Sequence, residues 1–215
     1  MTAGTADQSA QKTPRRPIPN YLVREVIDGI PFYYRGYRDV LNKTKTLEQV
    51  MSDSGLQAIL KDFIGDLLKA GLDRKHWRVM AGEIGNHLGH RHNLGLDVVV
   101  FDKKVLTPDK ITAQFVDVPA AMVVEIDVNV ELPDPKSDLF QEYVVRKIRS
   151  LFSFGTEKVV WVFTKSKMVI SATPAEPWQF FKWDQDVELT SGILMNVGRF
   201  LQEEGIDPDA GASVK

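Results

Sequence analysis

One lysine and two acids in this sequence stand where their charges are hard to keep. Lys147 falls near the centre of the apolar stripe formed by Leu139, Phe140, Tyr143, Val144, Ile148, Leu151 and Phe152 when the segment is wound as a helix at about 100° per residue. Glu142, Arg146 and Arg149 take the opposite, solvent side. A lysine on the burying side must snorkel to water, meet a carboxylate, or give up its proton. Asp97 in GLDVVVF and Glu125 in AMVVEIDV lie inside runs that are apolar on both sides, the pattern of strands covered on both faces. Acids are poor strand formers and costly to bury, so each of these calls for a cation. Asp127 follows Glu125 by two residues, which sends both side chains off one face of an ideal strand. Adjacent anions repel unless a cation or a proton lies between them. Lys147 can supply one positive charge, and a divalent metal with oxygen ligands the rest.

The elements that must position these groups are legible from periodicity. Leu56, Ile59, Leu60, Phe63, Ile64, Leu67 and Leu68 recur at helical spacing, with Ser52, Asp53 or Ser54 as N-cap and Gly71 beyond the end. Before them, Tyr21–Val26 and Ile30–Tyr34 read as strands around the hairpin signal Asp28-Gly29. After them come the β-rich runs Trp77–Ala81, Leu96–Phe101 and Ala121–Val128, then the Lys147 helix from about Ser137 to Phe154, ended by Gly155. Lys158–Phe163 and Met168–Ala172, joined by the polar turn Thr164–Lys167, read as an antiparallel pair. An aromatic segment, Trp178–Trp183, and an amphipathic stretch, Ile193–Leu201, follow.

Composition bounds the possibilities. The length of 215 residues suits one domain with a real core. Residues 1–18, with the small basic arm Lys12, Arg15 and Arg16, and residues 206–215 read as polar, flexible ends around a domain at 19–205. A net charge of -2 gives no global footprint for coating nucleic acid. It does not exclude an enzyme whose bound cations offset its acids. The absence of cysteine removes disulfides, thiolate zinc sites and cysteine nucleophiles, and agrees with a cytoplasmic setting. There is no signal-like or membrane-spanning apolar stretch, so no membrane partner is expected.

Together, GLDVVVFD, PAAMVVEIDV and YVVRKIRSLFSFGTEKVVWVF resemble the PD-(D/E)XK nuclease superfamily, and within it the Uma-like family of restriction endonucleases. In that family the lysine has moved from the strand to the following helix, a place that Lys147, eight residues before Gly155, fits. The opening REVIDGIPF is similar to the family's first strands, where an acid precedes Asp-Gly, and maps that acid onto Glu25. The resemblance implies an α/β, restriction-endonuclease-like fold, a mixed central β-sheet flanked by α-helices. It implies a DNA endonuclease dependent on Mg²⁺, with Mn²⁺ as a substitute, acting as a homodimer. Asp97 and Glu125, helped by the Ile126 carbonyl, would hold the metal, Lys147 would be the catalytic lysine, and Glu25 would ligate or position a second metal. Three departures stand out. Leu96 replaces the leading proline, and VNVELPDPKSD lacks the family's Ser-Pro step. Asp127 occupies the superfamily's strand-lysine place, either as a metal ligand or as a partner for Lys147.

Each residue also has a structural reading. Lys147 alone fits a snorkelling amphipath, Asp97 a strand start, and Glu25 an edge-strand residue. His87, His90 and His92 in GNHLGHRHN match no zinc spacing and read as a Gly- and Asn-rich loop, solvated or touching substrate together with Arg91. Trp178, Phe180, Phe181 and Trp183 suit core packing or a dimer surface, and base stacking as the alternative. Arg146 and Arg149 suit a charged helix face, and phosphate contact as the alternative. The competing function is a catalytically inactive nuclease-fold module serving binding or assembly. A histidine-based metal hydrolase is a third reading.

Overall fold

The computed structural model describes residues 17–210. Lys12, Arg15 and Arg16 and the closing GASVK lie outside the described residues. The Asp28-Gly29 turn has positive φ at both positions, 52° and 77°. This is the geometry that a two-residue hairpin needs, and it joins β1 (Val23–Ile27) to β2 (Ile30–Tyr34). Two short helices follow, α1 (Tyr37–Leu41) and α2 (Leu47–Met51), and then the long α3 (Gly55–Gly71). Ser54 is the N-cap of α3, closing a capping box with Gln57. β3 (Trp77–Gly89) and β4 (His92–Asp102) form a long hairpin, and β5 (Met122–Ile126) and the short β6 (Val130–Glu131) come next. The Lys147 helix begins as a π-helical stretch, Phe140–Val145, that runs directly into α4 (Arg146–Phe154). Gly155, at φ 117°, ends it. β7 (Lys158–Phe163), β8 (Met168–Ala172), β9 (Gln179–Lys182), the hairpin β10 (Val187–Thr190) and β11 (Ile193–Met195), and α5 (Val197–Glu203) complete the chain.

Among the described residues nine strands make one mixed, mostly antiparallel sheet in the order β6-β2-β1-β4-β5-β7-β8-β9, with β3 also paired to β4. Its parallel pair is β5 with β7, linked through the π-helical stretch and α4. Side chains from alternate faces build two cores. Val99, Phe101, Val123, Val159 and Trp161 pack against Tyr143, Ile148 and Leu151 on the α4 face. Val98, Val100, Val124, Val160 and Val162 pack against Leu60, Ile64 and Leu68 on the α3 face. The α/β architecture, a central sheet flanked by helices, is the one the alternating pattern requires. Among the described residues no helix is long and apolar enough to cross a membrane.

Several local expectations are corrected. GNHLGHRHN is not a loop: it belongs to β3 and β4, with only His90 and Arg91 in the turn. Of its glycines, Gly89 stands at the His87/Gly89 register irregularity with φ 152°, and Gly85 pairs in register with Gly95 beneath the Phe115 ring. β1 is not an edge strand, since it lies between β2 and β4. Phe140 is 40% exposed rather than part of the stripe, whereas Val145 is buried. An i→i+5 turn holds more residues than an α turn, so the wheel loses its phase across the π-helical stretch. Near the ends of the described residues, Ile18 packs beside Leu22, Ile206 packs on the α3-side core, and Asp209 pairs with Lys167 at 2.6 Å.

Candidate active site

The site sits where the sheet forks. β3 pairs along the length of β4 and uses up one edge of it. β1 meets β4 at Asn93 and β5 meets it at Val98–Val100, so both share the other edge, leaving a gap between them. Gly95 lies in that gap with backbone groups that no neighbouring strand engages there. Side chains replace the missing strand: Gly95 N donates to Glu25 Oε1 at 3.1 Å and Gly95 O accepts from Lys147 Nζ at 2.9 Å. A Cβ at Gly95 would come within 2.8 Å of Glu83 Oε2, so the half-exposed Glu83 carboxylate would have to move aside.

Lys147 is only 1% exposed. Its ammonium lies 2.8 Å from Glu25 Oε1 and 2.9 Å from Glu125 Oε2. Tyr143, one turn earlier, donates its hydroxyl to Glu25 Oε2 at 2.8 Å. The rings of Tyr143 and Trp161 stand 5.7 and 5.8 Å from Nζ and give it an electron-rich apolar wall. Trp161 is fixed in turn by its indole N–H, which donates to the Asp127 carbonyl at 2.8 Å. Burial works against the Lys147 charge, but Glu125 and Glu25 outweigh it and hold the lysine pKa well above the ordinary value. Lys147 therefore stays an ammonium.

Asp97 meets a different lysine. Alternation along β4 slips here, because Leu94 and Leu96 face the α4 core whereas Val98 faces the α3 core. Asp97 Oδ2 accepts from Ile126 N at 2.7 Å, and Oδ1 pairs at 2.7 Å with Lys61 on α3. Lys61 also holds Asp53 at 2.7 Å. Burial pushes the Asp97 pKa up, with Lys61 opposing. For Lys61, burial is outweighed by Asp97, and its pKa rises.

Three buried carboxylates, Glu25, Asp97 and Glu125, thus face two buried ammoniums, Lys61 and Lys147. Arg24, paired to Glu83, adds a further positive charge toward Glu25, and within the cluster it is Glu125 whose Oε1 is buried without a hydrogen-bond partner. Its pKa is pushed up to about 8, by burial first and then by the charges of Asp97 and Glu25, against the pull of Lys147. Such an oxygen calls for a proton or a cation.

Asp127 is elsewhere. Its φ is 62°, a left-handed conformation that breaks strand alternation just after β5. The two residues therefore do not share a face. The Asp127 carboxylate accepts from Thr164 N and Oγ1, each at 2.6 Å, and closes the turn after β7. The histidines do not converge either. His87 Nδ1 contacts Asn93 Oδ1 at 2.6 Å, and His92 Nδ1 lies 3.6 Å from Asp28. Among the described residues no three acidic or histidine side chains gather as a ready metal cage. Arg146 pairs with Glu142 at 3.1 Å, as an ordinary helix face does.

Lys61 and Tyr143 are the members that periodicity passes over. The apolar residues of α3 centre its stripe near Leu60 and Ile64, but the buried face also takes in Gln57, Lys61 and Gly65. Leu56, Phe63 and Leu67 are only partly buried, and Phe63 stacks on Phe200 of α5 at 3.9 Å. The available signal was the i, i+4, i+7 row Gln57, Lys61, Ile64. Tyr143 reads as core, and only its hydroxyl hints at a buried acceptor.

No family model and no curated protein matches the chain. Among solved structures it is similar to the crystal structure of a “putative nuclease belonging to DUF820” from Anabaena variabilis, with a TM-score of 0.59 at 14% identity, over 83% of this chain and 89% of that one. At that identity the likeness speaks for the fold: this chain has a nuclease-type fold, with the Lys147 cluster at the fork of its central sheet.

Proposed function

We propose that the chain is a metal-dependent DNA endonuclease of the Uma-like kind, hydrolysing phosphodiester bonds at the Asp97, Glu125 and Lys147 cluster. The observation that carries this reading is the buried ammonium of Lys147 between Glu25 and Glu125, beside an acid oxygen with no partner. Perturbed carboxylates around a fixed ammonium suit hydrolysis of an anionic ester. The donor set fits Mg²⁺, which takes one or two carboxylates and completes its shell with water and substrate oxygens. Asp97 and Glu125 would hold it, and when bound it supplies a more acidic water and neutralises phosphate charge.

The remaining groups take roles from their contacts. Glu25 already accepts from Lys147, Gly95 N and Tyr143 through its two oxygens. We therefore assign it to positioning Lys147 rather than to a second metal. Asp127, saturated by Thr164, is left out of the metal set. Lys147, kept protonated, faces the charge that builds on the phosphoryl oxygens, and the two rings around it exclude water. Lys61 holds Asp97 until a divalent cation competes for the same carboxylate.

Plasmid nicking in Mg²⁺ or Mn²⁺ tests the assignment. Lys147→Ala and Asp97→Ala should each abolish cleavage, with circular dichroism confirming that the variants remain folded. Undiminished cleavage by either folded variant overturns the reading.

A further inference from the structure

A cavity of about 510 Å³ lies on the strand that carries Glu25, and its walls include Arg24, Arg91, Asn93 and Phe115. Asn93 is two residues from Gly95, whose carbonyl anchors Lys147. The cavity therefore adjoins the fork.

Phe115 is 55% exposed, yet the residue that follows it is tied to β3. Val116 N donates to Gly85 O at 2.9 Å, and Val116 O accepts from His87 N and Asn86 Nδ2, each at 2.7 Å. The ring lies directly over Gly85, where a Cβ would come within 2.5 Å of it. A glycine on β3 thus makes the seat, and a backbone clamp presents an aromatic face to solvent that the core does not use. Of the two arginines, Arg24 is committed to Glu83 at 2.7 Å. Arg91 makes no ion pair among the described residues and stands in the β3–β4 turn at φ 56°.

A fixed aromatic face, an uncommitted guanidinium and an amide side chain, all on the approach to a phosphodiester-cleaving centre, match the parts by which proteins hold an unpaired nucleotide. We propose that this cavity seats one base of a nucleic-acid strand, stacked on Phe115, with a neighbouring phosphate paired to Arg91. This rests on the nuclease reading and extends it to a substrate with at least one unstacked base near the site.

The test is fluorescence anisotropy of the full chain with a dye-labelled single-stranded oligonucleotide, and with the same oligonucleotide carrying abasic sites, in chelator so that nothing is cut. Phe115→Ala should weaken binding of the intact strand about tenfold and leave the abasic strand unaffected. Phe115→Trp should retain the preference for bases. Arg91→Ala should weaken both strands alike and lower the salt dependence by about one phosphate. If the wild type binds the intact strand and Phe115→Ala binds it as well, the base seat is overturned while the nuclease reading stands. The same holds if the wild type nicks plasmid with Mg²⁺ but shows no preference for bases. If it neither binds nor nicks, both readings fall together.

Discussion

Replacing Glu125 by glutamine isolates the charge that the cluster cannot balance. Glu125 is buried, its Oε1 has no partner, and its pKa rises from an ordinary 4.5 to about 8. An acid whose pKa is higher in the folded than in the unfolded chain favours the native state below 4.5 and loses that contribution as the pH climbs to about 8. Each tenfold difference in proton affinity is worth about 1.4 kcal/mol, so the loss across this window is at most about 5 kcal/mol. Glutamine keeps the shape and the contact with Lys147 but cannot ionise. In chelator, Glu125→Gln should therefore gain on the wild type steadily as the pH rises, being no more stable at the acid end and several kcal/mol more stable at the alkaline end. Burial also lifts the pKa of Asp97 in the same direction. Because the charge of Asp97 is one cause of the Glu125 shift, the difference between the two proteins reports the coupled pair rather than Glu125 alone.

Urea denaturation at steps through the window, extrapolated linearly, gives the required free energies. The same titration with saturating Mg²⁺ tests the metal reading. A cation on Glu125 supplies its missing counter-charge and stabilises the native state by mass action. Mg²⁺ should then remove most of the alkaline loss from the wild type and do little for Glu125→Gln, which should also fail to nick plasmid. A stability difference that stays constant through the window would show that Glu125 is already compensated, and the charge argument would collapse. Equal stabilisation of both proteins by Mg²⁺ would place the metal elsewhere.

Two further substitutions separate the parts of the site. Lys61→Met strips Asp97 of its ammonium, which should cost about 3–5 kcal/mol in chelator and make the Mg²⁺-induced rise in Tm larger than in the wild type. A rise no larger would mean that Asp97 does not hold the cation. Asp127→Ala removes two hydrogen bonds to Thr164, so it should lower stability by about 1–3 kcal/mol while plasmid nicking per folded molecule stays within twofold of the wild type. A cleavage-dead but stable variant would return Asp127 to the site.

How far the sequence could be read depended on whether a residue's place follows from local periodicity. The Asp28-Gly29 turn, a cap of α3 among Ser52, Asp53 and Ser54, and the β5–α4–β7 passage rest on short-range rules, and all are present; of the two acids expected at Lys147, Glu125 is there and Asp97 is held by Lys61 instead. What escaped depends on tertiary arrangement. Glu25 looked like an edge residue because nothing near it in sequence says that β4 lies alongside. Asp127 looked like a neighbour of Glu125 because alternation was extended one residue past the point where φ turns positive. Lys61 was hidden because the most apolar side of α3 is shared with α5, which rotates the strictly buried face toward the polar residues. The length of β3 and β4 was hidden by glycines that serve as bulges and seats rather than as loop.

The fork explains why so many charged groups can be buried together. A strand lying alongside Gly95 would satisfy its backbone with neutral hydrogen bonds and leave no room for side chains. Here the gap is filled by a carboxylate and an ammonium, each bonded to Gly95 and to the other. Burying such a set does not favour stability, since replacement of buried ion pairs by apolar residues of similar volume is often neutral or stabilising by about 1–4 kcal/mol. A fold serving only as an assembly scaffold would gain nothing from three carboxylates and two lysines in its centre, one acid oxygen of which has no partner. On the proposed hydrolytic reading, that oxygen would take a cation that comes and goes, and Lys147 would keep its proton next to a substrate phosphate. This favours the hydrolytic reading over the assembly module, and it puts the weight of the difference on Glu125, where the fold leaves a charge unanswered.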